Sequence, residues 1–140
     1  MKVIDSILFL ITAIVQVDEA DTKEVNFIRQ KIFERLEKVK THAHDNSDSQ
    51  SIAIYLKFHV PETMIRVNAL YGESRTAPQF QLPTDLKIAC RKHLENLKSH
   101  LSEEELKGLI HEAIEADGVV SPQEIVLRDF LYEEISRIYG

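Results

Sequence analysis

A single cysteine, Cys90, serves this 140-residue chain, so no intrachain disulfide can form and the CxxC pairs of zinc and redox sites are excluded. A reducing compartment, the cytoplasm, is the expected setting. The four glycines form neither a phosphate loop nor a dinucleotide fingerprint, and HExxH and nucleophile-elbow motifs are missing as well. Positive charge is in deficit. With 17 basic against 23 acidic residues and a net charge of -6, the chain opposes the counterion release that draws proteins onto nucleic acid or anionic lipid. No nucleic-acid partner is expected. Long apolar runs are also lacking: Ile7 to Val15, broken only by Thr12 and Ala13, falls far short of the ~18 to 20 residues of a membrane span, so no direct membrane insertion is expected. Asp5 and the want of a small-x-small cleavage site argue against a signal peptide.

What is present is a hydrophobic content of 44%, enough for one domain over 1–140 that buries roughly two thirds of the surface its unfolded chain exposes. The Ile7–Val15 region reads as a helix buried on most sides. Ile4, Ile7, Leu8, Ile11 and Val15 form its stripe, which Phe9, Leu10 and Ile14 widen. Asp21 and Glu24 have capping-box spacing, and Val25, Ile28, Ile32, Leu36 and Val39 then recur at helical spacing. Residues 3–40 are therefore expected to be a helical hairpin. Thr41 to Ser51, rich in Ser, Asp and Asn, reads as a linker.

The period then changes. Ile52, Ile54, Leu56, Phe58 and Val60 alternate with smaller or polar residues, and Ile65, Val67, Ala69 and Tyr71 repeat the alternation beyond Pro61. That pattern fits a β-hairpin over 51–72, with a pair of short helices, Pro61 near the start of the second, as the alternative. Gly72 to Pro83 reads as an irregular connection. From Thr84 three helices are expected over 84–140. Leu86, Cys90, Leu94, Leu97 and Leu101 share one face, which makes Cys90 a buried small residue rather than a reactive thiol. Ser102 and Glu105 make a capping box for a helix that turns Leu106, Leu109, Ile110, Ala113 and Ile114 inward until Gly118 stops it. Ser121, Pro122 and Glu124 then start the last helix, whose stripe is Leu127, Leu131, Ile135 and Ile138.

The turn from Glu115 to Glu124 has a worn copy one hundred residues earlier: Ala13, Ile14, Asp21, Glu24 and Val25 fall on Ala113, Ile114, Ser121, Glu124 and Ile125. Set against an EF-hand loop, Asp117, Gly118, Val120 and Glu124 take the fifth, sixth, eighth and twelfth places, but Ala113 stands first, where calcium needs a carboxylate. High-affinity calcium sensing is excluded on that ground. A weak divalent cation could use Glu115, Asp117 and Glu124, joined by Asp18, Asp21 and Glu24 if the hairpins meet; against this, capping alone accounts for Ser121, Pro122 and Glu124. His42, His44 and Asp45 lie in the linker, His93 and His100 are two turns apart on one helix face, and His111 is four residues from Glu115. No catalytic or cofactor-binding constellation emerges.

Leu109 to Ile125 (LIHEAIEADGVVSPQEI) resembles the signature of TerB-like proteins, associated with tellurite resistance, in which an ADG-x-hydrophobic-S-x-x-E turn joins two helices near each end of an all-helical domain. The likeness spans roughly 3–38 and 84–139; Val17-Asp18-Glu19-Ala20 departs from it in the first copy, as does 51–83. It implies a mainly α, TerB-like bundle of two helix-turn-helix ends and a cytoplasmic, stress-associated module acting through partners. It also implies acidic metal-site residues, which carry over as Asp117 and Glu124, with Asp21 and Glu24 in the first copy. The expected function is thus a non-enzymatic interaction domain with a protein partner or a homo-oligomeric state. A metal-dependent, even hydrolytic, carboxylate-site protein and an acidic immunity or inhibitor protein are the alternatives.

Overall fold

Every residue from Ser6 to Val17 is buried, and this one segment organises the rest. In the computed structural model of the chain, which describes residues 3–18, 30, 49–115 and 120–140, helix α1 runs Val3–Gln16. Its apolar residues point in all directions, so no face can be left to solvent without cost. It is enclosed by α2 (Ser49–Tyr71), α3 (Thr84–Lys98) and α4 (Glu103–Glu115), while α5 (Pro122–Tyr139) closes over α3 and α4. The described architecture is all helical, with no strand among the described residues. The expected second half of the first hairpin, including Asp21, Glu24 and the stripe from Val25 to Val39, lies outside the described residues.

The expected β-hairpin over 51–72 is not formed; the segment is the single helix α2, which begins inside the stretch read as a linker. Two helical stripes had mimicked a strand. Residues two apart on a helix point about 200° apart, so alternating apolar residues fall on opposite faces. Val60, Met64, Val67 and Tyr71 take the inner face, while Ile54, Phe58, Ile65 and Ala69 take the outer one. Pro61 sits inside the helix and has no N–H for the Lys57 carbonyl. One turn on, the Thr63 hydroxyl donates to the His59 carbonyl at 2.8 Å. Gly72 ends the helix in the left-handed region, φ +55°, its N–H donating to the Asn68 carbonyl at 3.1 Å. A short 3-10 turn, Ser74–Thr76, and an extended stretch lead to α3.

The later helices follow their sequence signals. Leu86, Cys90, Leu94, Leu97 and Leu101 are all buried, as are Leu127, Leu131 and Ile135, while Ile138 is partly so. Of the three expected capping boxes, the two that lie among the described residues are present. Ser102 and Glu105 exchange bonds of 3.0 and 3.1 Å at α4, and Ser121 and Glu124 do so at 3.1 Å at α5. Ala13, Ile14, Ala113 and Ile114, matched by the hundred-residue offset, are all in the core.

The C-terminal end of α1 is satisfied by Tyr71, the last residue of α2, and by Arg75 in the turn that follows. The Tyr71 hydroxyl donates to the Ala13 carbonyl at 2.6 Å, and Arg75 Nη1 donates to the Gln16 carbonyl at 3.0 Å. The guanidinium lies over the Tyr71 ring at 5.1 Å and also donates to Asn68 Oδ1. A cation here complements the negative end of the α1 dipole. Burial first, then Cys90, holds the Tyr71 phenol well above the ordinary tyrosine range, so it remains a neutral donor. Between α3 and α5, Glu134 accepts from Arg137 at 3.0 and 2.6 Å and from Arg91 at 3.2 Å. Burial opposes its ionisation, but the two guanidinium groups outweigh burial and hold the carboxyl below its usual range.

The Tyr71→Phe substitution keeps the ring and deletes the donor to α1. It is expected to lower stability by about 1–2 kcal/mol, read as a lower urea midpoint at unchanged slope.

Candidate functional site

Glu124, the best-placed of the acidic residues, is buried, and its carboxylate accepts the Ser121 backbone N–H at the head of α5. Glu115 is exposed at the end of α4, and Asp18 is exposed beyond α1. Asp117, Asp21 and Glu24 lie outside the described residues. Among the described residues no three His, Cys, Asp or Glu side chains gather in a way that could hold a metal ion. His100 and His111 are exposed, and Cys90 is inaccessible, its thiol pushed up to about 12 by burial against a smaller opposing effect of Arg91. A thiol so protonated is no nucleophile.

A concave feature among the described residues lies elsewhere, where α1, α2 and α3 meet. It is a pocket of about 300 Å³. α1 supplies Asp5 and Phe9, α3 supplies His93, and α2 supplies the opposite wall from His59 to Arg66. His93 is 8% exposed and stacks on Phe9, with ring centroids 4.3 Å apart and planes 21° apart. Its Nδ1 is hydrogen-bonded to Ser6 Oγ at 3.0 Å, and that oxygen accepts from Asn96 Nδ2 at 2.9 Å. Arg66 and Glu62 pair at 3.5 Å on the exposed rim. The Ser6–His93 contact brings together residues 87 apart in the chain, but Ser6 is 0% exposed. No substrate can reach its oxygen, so the pair orients an imidazole and is not a nucleophile with its base.

Sequence spacing had placed His93 only in relation to His100 and had singled out neither Ser6 nor Asp5 for chemistry. The available signal was position: His93 lies three residues after Cys90 and one before Leu94, at the edge of the buried stripe of α3. A polar ring there needs a partner from another element, and nothing local names Ser6 as that partner.

Comparison of the chain with protein-family models, with characterised proteins and with solved structures finds no match. No helix among the described residues is long and apolar enough to cross a membrane. Architecture is what defines the class here: a mainly helical bundle built around one buried helix.

His93 gives the fold a measurable pH dependence. Burial, reinforced by Lys92 and Arg66 and opposed by Asp5, lowers its pKa from an ordinary 6.5 to about 4. Between those values the unfolded chain takes up a proton that the folded chain refuses. Stability therefore falls as pH drops through the window, by on the order of 2–3 kcal/mol, and His93 adds no further loss below it. Urea unfolding at about pH 7 and about pH 4.5 should show a shallower decline for His93→Gln than for the wild type.

Proposed function

We propose that the chain is a non-enzymatic, TerB-like interaction module of the cytoplasm, acting in a stress response, and that its outer α2 face joins a second copy of the same chain. The observation that carries this is a stripe of large apolar side chains left in water: Ile54 is 59% exposed, Phe58 73% and Ile65 73%. Ile54, Phe58 and Ile65 share one face of a helix, and Pro61 and Ala69 extend it. Fully burying side chains of this size is worth about 1.5–3 kcal/mol each, and contiguous exposure of this kind marks contact surfaces. The expected hairpin would have offered a strand edge for pairing; α2 offers this helix face instead.

A second copy fits for two reasons. Self-association about a two-fold axis brings each apolar stripe its own complement. In an antiparallel helix pair, moreover, the same flank of each helix meets its counterpart, and one flank of α2 carries both Glu62 and Arg66. Their bond within the helix is long, 3.5 Å, and both side chains are more than half exposed. Each can thus pair with its opposite on the other copy. The interaction needs neither a cation nor a catalytic group.

Sedimentation equilibrium from about 5 to about 500 µM, a range that brackets a micromolar dissociation constant, should show a wild-type dimer. Phe58→Glu and Ile65→Glu should give monomers with unchanged helical circular dichroism, because both positions are already exposed. A wild-type monomer throughout would sink self-association. If that monomer retains another protein through the same face, the partner is heterologous.

A further inference from the structure

The exposed apolar stripe of α2 is spaced almost symmetrically about its own middle. Phe58 stands three residues before Pro61 and Ile65 four after it, while Ile54 and Ala69 stand seven before and eight after. The centre of the stripe thus falls between Pro61 and Glu62, within two residues of the midpoint of the Ser49–Tyr71 helix. Bulk is not symmetric about that centre. Ile54 and Phe58 lie on one side, both large and well exposed, whereas the stripe ends on the other side at Ala69.

Packing decides in which direction such a stripe pairs with itself. A parallel pair sets each residue against its own copy, so Phe58 would meet Phe58 and, about 17 Å along the axis, Ala69 would meet Ala69. Helices held apart by two phenyl rings leave a gap at the two methyl groups. An antiparallel pair sets a larger side chain against a smaller one at each level, Phe58 against Ile65 and Ile54 against Ala69. The separation is then even along the contact, as close packing of helices about 8–10 Å apart requires. Opposed helix dipoles favour the same direction, and it alone brings the flank of Glu62 and Arg66 to the same flank of the other copy.

We propose that two copies pair through antiparallel α2 helices about a two-fold axis beside Pro61, with Phe58 of each copy packed on Ile65 of the other and Ile54 on Ala69. The inference rests on the self-association put forward above and adds its direction and register. Centred there, the two helices overlap over about twenty residues, about 30 Å, which is nearly the whole of α2. Arg66 then stands about 8 Å along the axis from Glu62 of the other copy, a gap that two long side chains span. Neighbouring registers fail on one count each. A slip of one turn in one direction carries Ile54 past Tyr71 of the other copy, where α2 has ended. The opposite slip sets Glu62 and Arg66 of opposite copies about 14 Å apart along the axis, too far to pair.

Isotope-filtered NOE spectroscopy on the full wild-type chain, mixed from ¹³C-labelled and unlabelled copies at about 500 µM, tests this without altering a residue. Contacts should join the Phe58 ring of one copy to the Ile65 methyl groups of the other, and none should join Phe58 to Phe58. Disulfide formation in a glutathione redox buffer gives a second measure. Phe58→Cys mixed with Ile65→Cys should cross-link at least about tenfold faster than either variant alone, because only that combination brings the two sulfurs within bonding range; Cys90 is buried and takes no part. A dimer that lacks the Phe58–Ile65 contact overturns the proposal, whether it shows Phe58 on Phe58, a parallel pair, or Ile54 on Ile65, a slipped one. Self-association itself then stands. A chain that sediments as a monomer at the same concentration overturns both.

Discussion

Enclosing a helix that is apolar on all sides is the constraint from which the rest of this fold follows. An amphipathic helix needs one covering surface, whereas α1 needs several, and α2, α3 and α4 provide them. Full enclosure also removes water from its polar groups, each of which must then find a protein partner. Thr12 solves this within the helix by donating to the Leu8 carbonyl at 2.7 Å. Ser6 is served by Asn96 and His93 from α3, and the last carbonyls by Tyr71 and Arg75. These polar contacts fix the depth and rotation of α1 among its neighbours, which close-packed aliphatic side chains alone would define less sharply.

Where a residue's role depended on its neighbours in sequence, that role was legible. Ser102 with Glu105 and Ser121 with Glu124 announce helix starts because a capping box is closed by residues three apart. The aliphatic stripes of α3, α4 and α5 are legible for the same reason. The α2 segment was not, because a helix with apolar residues on two opposite faces writes a period of two. One face is buried against the bundle and the other is open, a difference that hydrophobicity cannot record. The pocket was less legible still: Asp5, Phe9 and Ser6 come from the first turns of the chain and His93 from a helix some ninety residues later.

The acidic turn and the pocket show how alike two sets of polar residues can look in a sequence and how differently a fold can treat them. Glu124 is spoken for by a backbone N–H, so its burial is offset and its charge sits at the positive end of α5. His93 instead contacts Ser6 through Nδ1 and stacks on Phe9, with its ring on the wall of the pocket.

The central place of α1 has a consequence for biosynthesis. The most apolar helix precedes all the helices that shelter it, and the last of its direct neighbours, α4, ends at Glu115. At the usual pace of translation the ribosome needs roughly 5–20 s to add those further hundred or so residues. During that interval the nascent chain carries an unsheltered segment of the kind that chaperones engage and that aggregates in their absence. The bundle's innermost element is thus its most exposed one while the protein is being made.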